Sequence, residues 1–198
     1  MNDFYYEIPS IKRKDDALDY IQEHYDYNSK INGVGGLHRY LDDYEGWLKK
    51  LDEDYNRTPS EDLVPARTYF LIRKSDDKII GMTNIRLTLN KRLKETSGHI
   101  GYGIRPTERG NGYNKINLYL ALKECENYNI DEALLSADIK NEASWRTMEA
   151  LGGVKREEYY DEEEQATMVH YTINVKEALD KYHDTYEPYI LSNKTKQL

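Results

Sequence analysis

The chain has little cysteine, no long apolar run and an excess of acidic over basic residues. Its 198 residues include one cysteine, Cys125, so an internal disulfide is impossible and a reducing compartment is expected. No stretch is long and apolar enough for a transmembrane helix. Residues 1–16 also lack the apolar core of a signal peptide. These absences predict a cytoplasmic protein without a membrane partner.

The formal net charge of −8 argues against a nucleic-acid partner, because proteins that bind nucleic acids present basic surfaces. An acidic balance suits a cationic partner such as an amine, although an acidic surface usually serves only solvation. No metal site is predicted. At this length one domain with a complete core is expected. The chain has 19 tyrosines and two phenylalanines, so we expect tyrosine rings in the core with their hydroxyls at its rim.

Apolar periodicity predicts an ordered series of strands and helices. The predicted strands cover residues 4–8, 67–73, 79–89, 99–104, 133–139, 154–160 and 167–175. The predicted helices cover residues 15 or 16 to about 25, 37–55, 113–128, 142–151 and 176–182. Asn141 is the expected N-cap of the helix over 142–151. Gly152 and Gly153 are expected to end that helix, and Cys125 is expected to be a buried, inert thiol.

A glycine-punctuated loop between the fourth strand and the next helix is the most informative stretch. Residues 109–114 read Arg-Gly-Asn-Gly-Tyr-Asn. The first N–H groups of a helix have no partner within it, the helix dipole adds positive charge there, and glycines permit close approach. Such a loop can cradle a phosphate or pyrophosphate. A P-loop and a dinucleotide fingerprint are both absent. An ordinary strand-to-helix turn is the structural alternative.

The same loop resembles the acetyl-CoA loop of the GNAT N-acetyltransferase superfamily, which runs Gln/Arg-x-x-Gly-x-Gly/Ala. Arg109 and Gly112 match that pattern, and Asn114 stands where Gly or Ala is usual. About thirty residues later, 141–153 resemble the second signature of the family, Asn-x-x-Ala/Ser-x-x-x-Tyr-x-x-x-Gly-Phe. The matching residues are Asn141, Ser144 and Gly152, whereas Met148 replaces the tyrosine and Gly153 the phenylalanine.

The resemblance implies an α/β (α+β) fold. We expect a mixed, mostly antiparallel central sheet flanked by helices, with a splayed strand pair at the cofactor site. The GNAT domain would cover residues 1–175. Residues 176–198 would form a C-terminal extension, which is a candidate homodimer contact. The implied activity is acetyl transfer from acetyl-CoA, as co-substrate, to a primary amine of a small molecule or peptide.

The resemblance also assigns cofactor-binding residues. The fourth strand would bind the pantetheine arm through the backbone of Tyr102, Gly103 and Ile104, and Asn141 and Ser144 would line the same arm. The loop would bind the diphosphate through Arg109, Gly110, Asn111, Gly112, Tyr113 and Asn114. We interpret the strand glycines Gly101 and Gly103 as room for the cofactor arm, since glycines in a strand often mark a close approach.

The catalytic residues are less constrained by sequence. His99 is a candidate general base because its ordinary pKa lies near neutrality, and a surface histidine is the alternative. Asp138 is a second candidate base, or a capping aspartate. With Met148 in the usual tyrosine position, Tyr113 or another tyrosine is a candidate acid for the thiolate. Asn84 and Arg86 line either a cleft or an exposed strand face, and residues 31–36 form either a substrate loop or a plain connection.

Two other functions fit these residues. A non-catalytic GNAT-like module could bind CoA, or no ligand, and act through partners. A less specific alternative is an unrelated α/β protein that binds phosphate esters.

Overall fold

The computed structural model describes residues 3–191, so the last part of the predicted C-terminal extension, residues 192–198, lies outside the described residues. The strands are β1 Phe4–Glu7, β2 Ala66–Arg73, β3 Lys78–Arg86, β4 Ile100–Ile104, β5 Glu132–Asp138, β6 Val154–Asp161 and β7 Ala166–Asn174. The helices are α1 Lys14–Asp26, α2 Tyr44–Tyr55, α3 Lys91–Glu95, α4 Tyr113–Asn127, α5 Glu142–Ala150 and α6 Val175–Tyr186. None of the helices in this part of the chain has the length and apolar character needed to cross a bilayer.

The strands form two antiparallel sheets, ordered β1-β2-β3-β4 and β5-β7-β6. Among the described residues, the two sheets are joined by a bridge between Gly98 and Leu135. The His99 N–H also donates to the Leu134 carbonyl at 2.6 Å. Beyond this junction β4 and β5 belong to different sheets and diverge. The predicted mostly antiparallel sheet with one splayed strand pair is therefore confirmed.

Two hydrophobic clusters cover opposite faces of the first sheet. The alternating strand residues Ile85, Ile100 and Ile104 pack on the α4 face, together with residues of β5 and β7. On the other face, Phe70 and Met82 pack against α1 and α2. Period-two alternation thus gives the sheet two apolar faces, each covered by helix. This arrangement places the N-terminus of α4 and the loop before α2 on opposite sides of β4.

The predicted continuous helix over residues 37–55 is wrong in its first half. Leu37–Arg39 form a short 3₁₀ turn, and the α-helix begins only at Tyr44. Asp43 interrupts the pattern because its side chain accepts the Gly46 N–H at 2.9 Å, which is an N-cap interaction. Leu37 and Trp47 are nevertheless both fully buried. The apolar stripe therefore identified buried positions correctly and the helix boundary incorrectly.

The other differences are small. The predicted strand over 79–89 ends at Arg86, and the predicted polar connection over 90–97 contains the one-turn helix α3. Asn90 begins α3, since its side chain accepts the Leu93 N–H at 2.9 Å. Cys125 is fully buried in α4, and burial raises the pKa of its thiol to about 12, as expected for an inert thiol.

Candidate active site

A cleft of about 980 Å³ opens where β4 and β5 diverge. Its walls are β4, the end of β5, the start of α5, the loop at residues 29–33 and the tip of the β6–β7 hairpin. The glycine loop before α4 lies at one end. The opposite end is bounded by the Gly98–Leu135 junction and by Arg86, Thr96 and Ser97. Its volume is in the range of pockets that hold a small ligand.

The glycine loop presents backbone to open space. Gly110 and Gly112 have φ angles of 83° and 78°, and a Cβ atom added at either residue would meet nothing within 4 Å. Gly112 is the N-cap of α4, and no side chain caps this end of the helix. The first N–H groups of α4 therefore lack a side-chain acceptor, in the geometry that binds phosphate groups. An ordinary buried turn would instead pack these glycines against protein.

The polar side chains of the loop stabilise its conformation. Arg109 donates from Nε to the Ile104 carbonyl at 3.2 Å and from Nη2 to Ser29 Oγ at 2.7 Å. Asn111 donates to the Glu108 carbonyl at 3.1 Å. Asn114 donates weakly to Thr147 Oγ1 at 3.5 Å, while its buried Oδ1 has no partner among the described residues. The Asn114 side chain thus lies between α4 and α5.

The glycines of β4 have a different role from the one predicted. A Cβ at Gly103 would lie 3.0 Å from the Asn32 carbonyl oxygen, and one at Gly101 would lie 3.7 Å from the Gly33 nitrogen. The chain's own loop at residues 31–36 therefore packs on this face of β4. The interpretation of these glycines as room for the cofactor arm is corrected, because a second backbone segment takes that space.

Tyr102 and Ser144 connect the two sides of the cleft. The Tyr102 hydroxyl lies 3.2 Å from Ser144 Oγ and 3.3 Å from the Ser144 carbonyl. Burial raises the pKa of this hydroxyl, and the hydrogen bond with Ser144 partly offsets that effect. Asn141 caps α5 as predicted, with its side chain accepting the Ser144 N–H at 3.3 Å. Tyr102, Gly103, Ile104, Asn141 and Ser144 all line the cleft.

The structure separates the two candidate bases. Asp138 lines the cleft, and its Oδ1 accepts the Lys140 N–H at 2.9 Å. His99 does not line the cleft, and its Nδ1 accepts the Leu134 N–H at 3.0 Å at the junction of the two sheets. Burial, and then the charges of Arg86 and Lys94, lower the pKa of His99 to about 4. The ring is therefore neutral at physiological pH and bonded to backbone.

Tyr113 also lies in the cleft wall, but its ring packs elsewhere. The ring centroid is 4.9 Å from that of Phe4, and the Arg73 guanidinium lies 5.7 Å from the ring. Phe4 and Arg73 belong to β1 and β2, on the far side of the first sheet from the β4–β5 gap. The backbone of Tyr113 therefore faces the cleft, while its side chain points toward β1.

A third tyrosine, Tyr159, reaches the cleft from the β6–β7 hairpin, and sequence analysis did not single it out. The Tyr159 hydroxyl donates to the Thr96 carbonyl at 2.6 Å and lies 2.9 Å from Ser136 Oγ. Burial raises the pKa of Tyr159. Ser136 and Tyr159 both line the cleft. No local sequence signal identifies this pair, because hairpin and strand meet only in the folded chain.

Arg105 is a further residue that sequence analysis missed. Its side chain is fully buried between β4 and the glycine loop. The guanidinium donates to Asp19 at 2.6 Å, Glu23 at 2.9 Å and Asp16 at 3.0 Å. Glu23 in turn accepts the Thr107 N–H at 2.8 Å. This network attaches α1 to the turn that leads into the glycine loop. Its one sequence signal is the placement of the three acidic residues on a single face of α1.

A family model described as "Acetyltransferase (GNAT) domain" matches residues 10–154. The chain belongs to the GNAT acetyltransferase family, and the resemblance inferred from sequence is confirmed. No curated protein sequence matches the chain.

Solved structures of GNAT acetyltransferases have the same fold. The ribosomal-protein-S5-alanine acetyltransferase of Vibrio fischeri aligns with a TM-score of 0.63 at 14% identity, covering 88% of this chain and 94% of that one. The microcin C7 self-immunity acetyltransferase MccE, in complex with acetyl-CoA and AMP, aligns with a TM-score of 0.63 at 12% identity, covering 87% and 92%. The spermidine/spermine N-acetyltransferase SpeG of Vibrio cholerae aligns with a TM-score of 0.61 at 13% identity, covering 90% and 98%.

Proposed function

We propose that this protein is a cytoplasmic N-acetyltransferase that transfers an acetyl group from acetyl-CoA to a primary amine of a small molecule or peptide. The observation that carries the proposal is the continuity of two features. An open glycine loop at the α4 N-terminus leads directly into the gap between β4 and β5. A linear thioester with a phosphorylated end matches a site of this shape, with its anionic part at the loop and its acyl end deeper in the gap.

The loop residues fit the anionic part of acetyl-CoA. The backbone around Gly110 and Gly112 is open, and the exposed Arg109 guanidinium has no carboxylate partner among the described residues. Lys115, in the first turn of α4, adds a second cation on the same wall. Backbone N–H groups, the helix dipole and two cations together stabilise phosphates. The backbone of Tyr102, Gly103 and Ile104 and the side chains of Asn141 and Ser144 would hold the arm.

The chemistry needs a neutral amine and a proton for the leaving thiolate. The amine nitrogen attacks the thioester carbonyl, the C–S bond breaks, and the thiolate takes up a proton. We assign the base role to Asp138, acting directly or through a water, because it lines the cleft and His99 does not. We assign the proton-donor role to Tyr159, whose hydroxyl adjoins Ser136 in the cleft wall. Tyr113 is less suited, since its ring packs on Phe4.

Substitution of Gly112 tests the cofactor site. Gly112→Ala adds a Cβ in the space above the loop, at a φ angle of 78° that costs a non-glycine residue roughly 1–2 kcal/mol. We expect a CoA dissociation constant raised at least about tenfold, because both the approach to the loop and its geometry change. Titration calorimetry with CoA and acetyl-CoA measures this effect.

Gly152→Ala is the matched control. Gly152 has a φ angle of 82° and ordinary contact with Tyr182, and it does not line the cleft. Gly152→Ala should lose about as much stability as Gly112→Ala and bind CoA with wild-type affinity. Unchanged CoA affinity in Gly112→Ala would remove the loop from the site. A thiol-release assay over a panel of amines then separates an enzyme from a CoA-binding module, since the module would bind CoA and release no thiol.

A further inference from the structure

Arg86 lies at the end of the cleft that is farthest from the glycine loop. Its backbone N–H donates to the His99 carbonyl, and its Nη1 donates to the Gly98 carbonyl at 3.0 Å. The five-residue strand β4 separates this point from the loop, which corresponds to roughly 15 Å. Arg86 alternates with the α4-facing Ile85, so its side chain leaves the opposite face of the sheet. The glycine loop, where we propose that the phosphates bind, and Arg86 therefore lie at opposite ends of the cleft.

Arg86 has no anionic partner among residues 3–191. No carboxylate there forms an ion pair with it, and the one hydrogen bond of its side chain goes to a backbone carbonyl. Three other arginines of the chain each pair with two or three carboxylates: Arg13, Arg73 and Arg105. Burial, and then the like charge of Arg92, lower the pKa of Arg86 to about 10. The chain has 36 acidic and 28 basic residues, yet no described carboxylate pairs with this partly buried cation.

Arg86 is partly buried, and a guanidinium that is partly withdrawn from water is unfavourable without a counter-charge. Its planar fork matches a carboxylate. The phosphates of acetyl-CoA cannot be its partner if they bind the glycine loop. The remaining ligand of the proposed reaction is the acceptor. The same cleft contains Asp138 and Asp161 on its other wall, so it offers charges of both signs to one bound molecule.

We propose that Arg86 binds a carboxylate of the acetyl acceptor, so that the acceptor is an amine of the amino-acid type rather than a polyamine. This inference rests on the proposed acetyltransferase function, and it assigns a substrate class to the same cleft. A polyamine brings only positive charge to this end of the cleft, where Arg86 would repel it. An amino acid brings an anion for Arg86 and an amine for the thioester.

The first test compares acceptors that differ only in the carboxylate. Amino acids and the matching decarboxylated amines are assayed for thiol release with wild type, Arg86→Gln, Arg86→Lys and Arg92→Gln. Arg92 is the control, because it is exposed, neighbours Arg86 and does not line the cleft. We expect wild type and Arg92→Gln to favour the amino acid at least about tenfold in kcat/KM. Arg86→Gln should lose that preference, and Arg86→Lys should keep part of it.

The inference is overturned if wild type acetylates both members of each pair equally well, or if Arg86→Gln keeps the preference. If no amine in the panel releases thiol, that result counts against the proposed function. A second measurement then still tests whether Arg86 binds a carboxylate. N-acetyl amino acids are titrated into each variant in the presence of CoA. Binding that Arg86→Gln weakens at least about tenfold, with CoA affinity unchanged, supports the site. No binding to wild type, or equal binding to both proteins, refutes it.

Discussion

Replacing Arg105 by methionine tests whether the buried ion network supports both the fold and the glycine loop. Methionine keeps much of the apolar stem and removes the guanidinium. The substitution deletes hydrogen bonds to Asp16, Asp19, Glu23 and the Ile79 carbonyl, with lengths of 2.6–3.0 Å. It leaves the carboxylates of Asp16 and Glu23, which are 25% and 15% exposed, without their cation.

Removing one partner of a buried ion pair lowers the free energy of unfolding by about 3–5 kcal/mol, because the remaining charges stay buried. Asp19 is 68% exposed and can be hydrated, so we expect a value near the lower end, about 3 kcal/mol. With a urea m-value of about 1–3 kcal/mol per M, the unfolding midpoint should fall by at least about 1 M. Fluorescence of the buried Trp47 reports the transition.

The same variant should bind CoA more weakly while still folded. Glu23 accepts the Thr107 N–H and hydroxyl, both at 2.8 Å, in the turn before the glycine loop. Without Arg105, that carboxylate is free to move, and the turn loses a fixed acceptor. The control is Arg13→Met, because Arg13 pairs with Glu7 and Asp77 nearer the surface, where such pairs contribute about 1 kcal/mol or less. An Arg105→Met midpoint within error of wild type would refute the reasoning.

Three further variants test other parts of the site. The low pKa of His99 should lower the free energy of unfolding of wild type by up to about 3 kcal/mol as pH falls from about 6.5 to about 4, because only the unfolded chain protonates this ring readily. The urea midpoint of His99→Gln should therefore depend less on pH than that of wild type. Tyr159→Phe should lower kcat in a thiol-release assay and leave CoA affinity unchanged; an unaltered kcat excludes the donor role. Gly33→Ala would place its Cβ 2.6–2.7 Å from the backbone of β3 and β4. Thermal denaturation should therefore show a much larger loss of stability than for the control Gly36→Ala, since Gly36 has a similar φ angle and open surroundings.

Local signals predicted much of the fold. Strand alternation located every strand to within about three residues at each end, because side-chain direction along a strand depends only on neighbouring residues. The α5 N-cap at Asn141 and the start of α4 at Tyr113 were likewise predicted, since helix starts depend on chemistry within one helical turn. The glycine loop was therefore recognisable before the fold was known.

The parts that sequence could not predict depend on contacts between distant residues. Arg105 reaches acidic residues more than 80 positions earlier in the chain. Gly101 and Gly103 were recognised as a close approach, but the approaching group proved to be the loop at residues 31–36. Tyr159 enters the cleft through hairpin packing. In each case the residue type indicated a special environment, and only the folded chain identified the partner.

Burial is the largest cause of the low pKa of both His99 and Arg86, and positive side chains at the junction of the two sheets lower both further. Arg86 and Lys94 act on His99, and Arg92 acts on Arg86. A carboxylate bound to Arg86 would neutralise part of this field. The pKa of His99 would then rise toward its ordinary value, because a nearby anion favours the imidazolium. As long as the ring stays neutral, its Nδ1 accepts the Leu134 N–H and the ring remains part of the junction. The charge at the closed end of the cleft is thus better suited to selecting an anionic acceptor than to removing a proton from an amine.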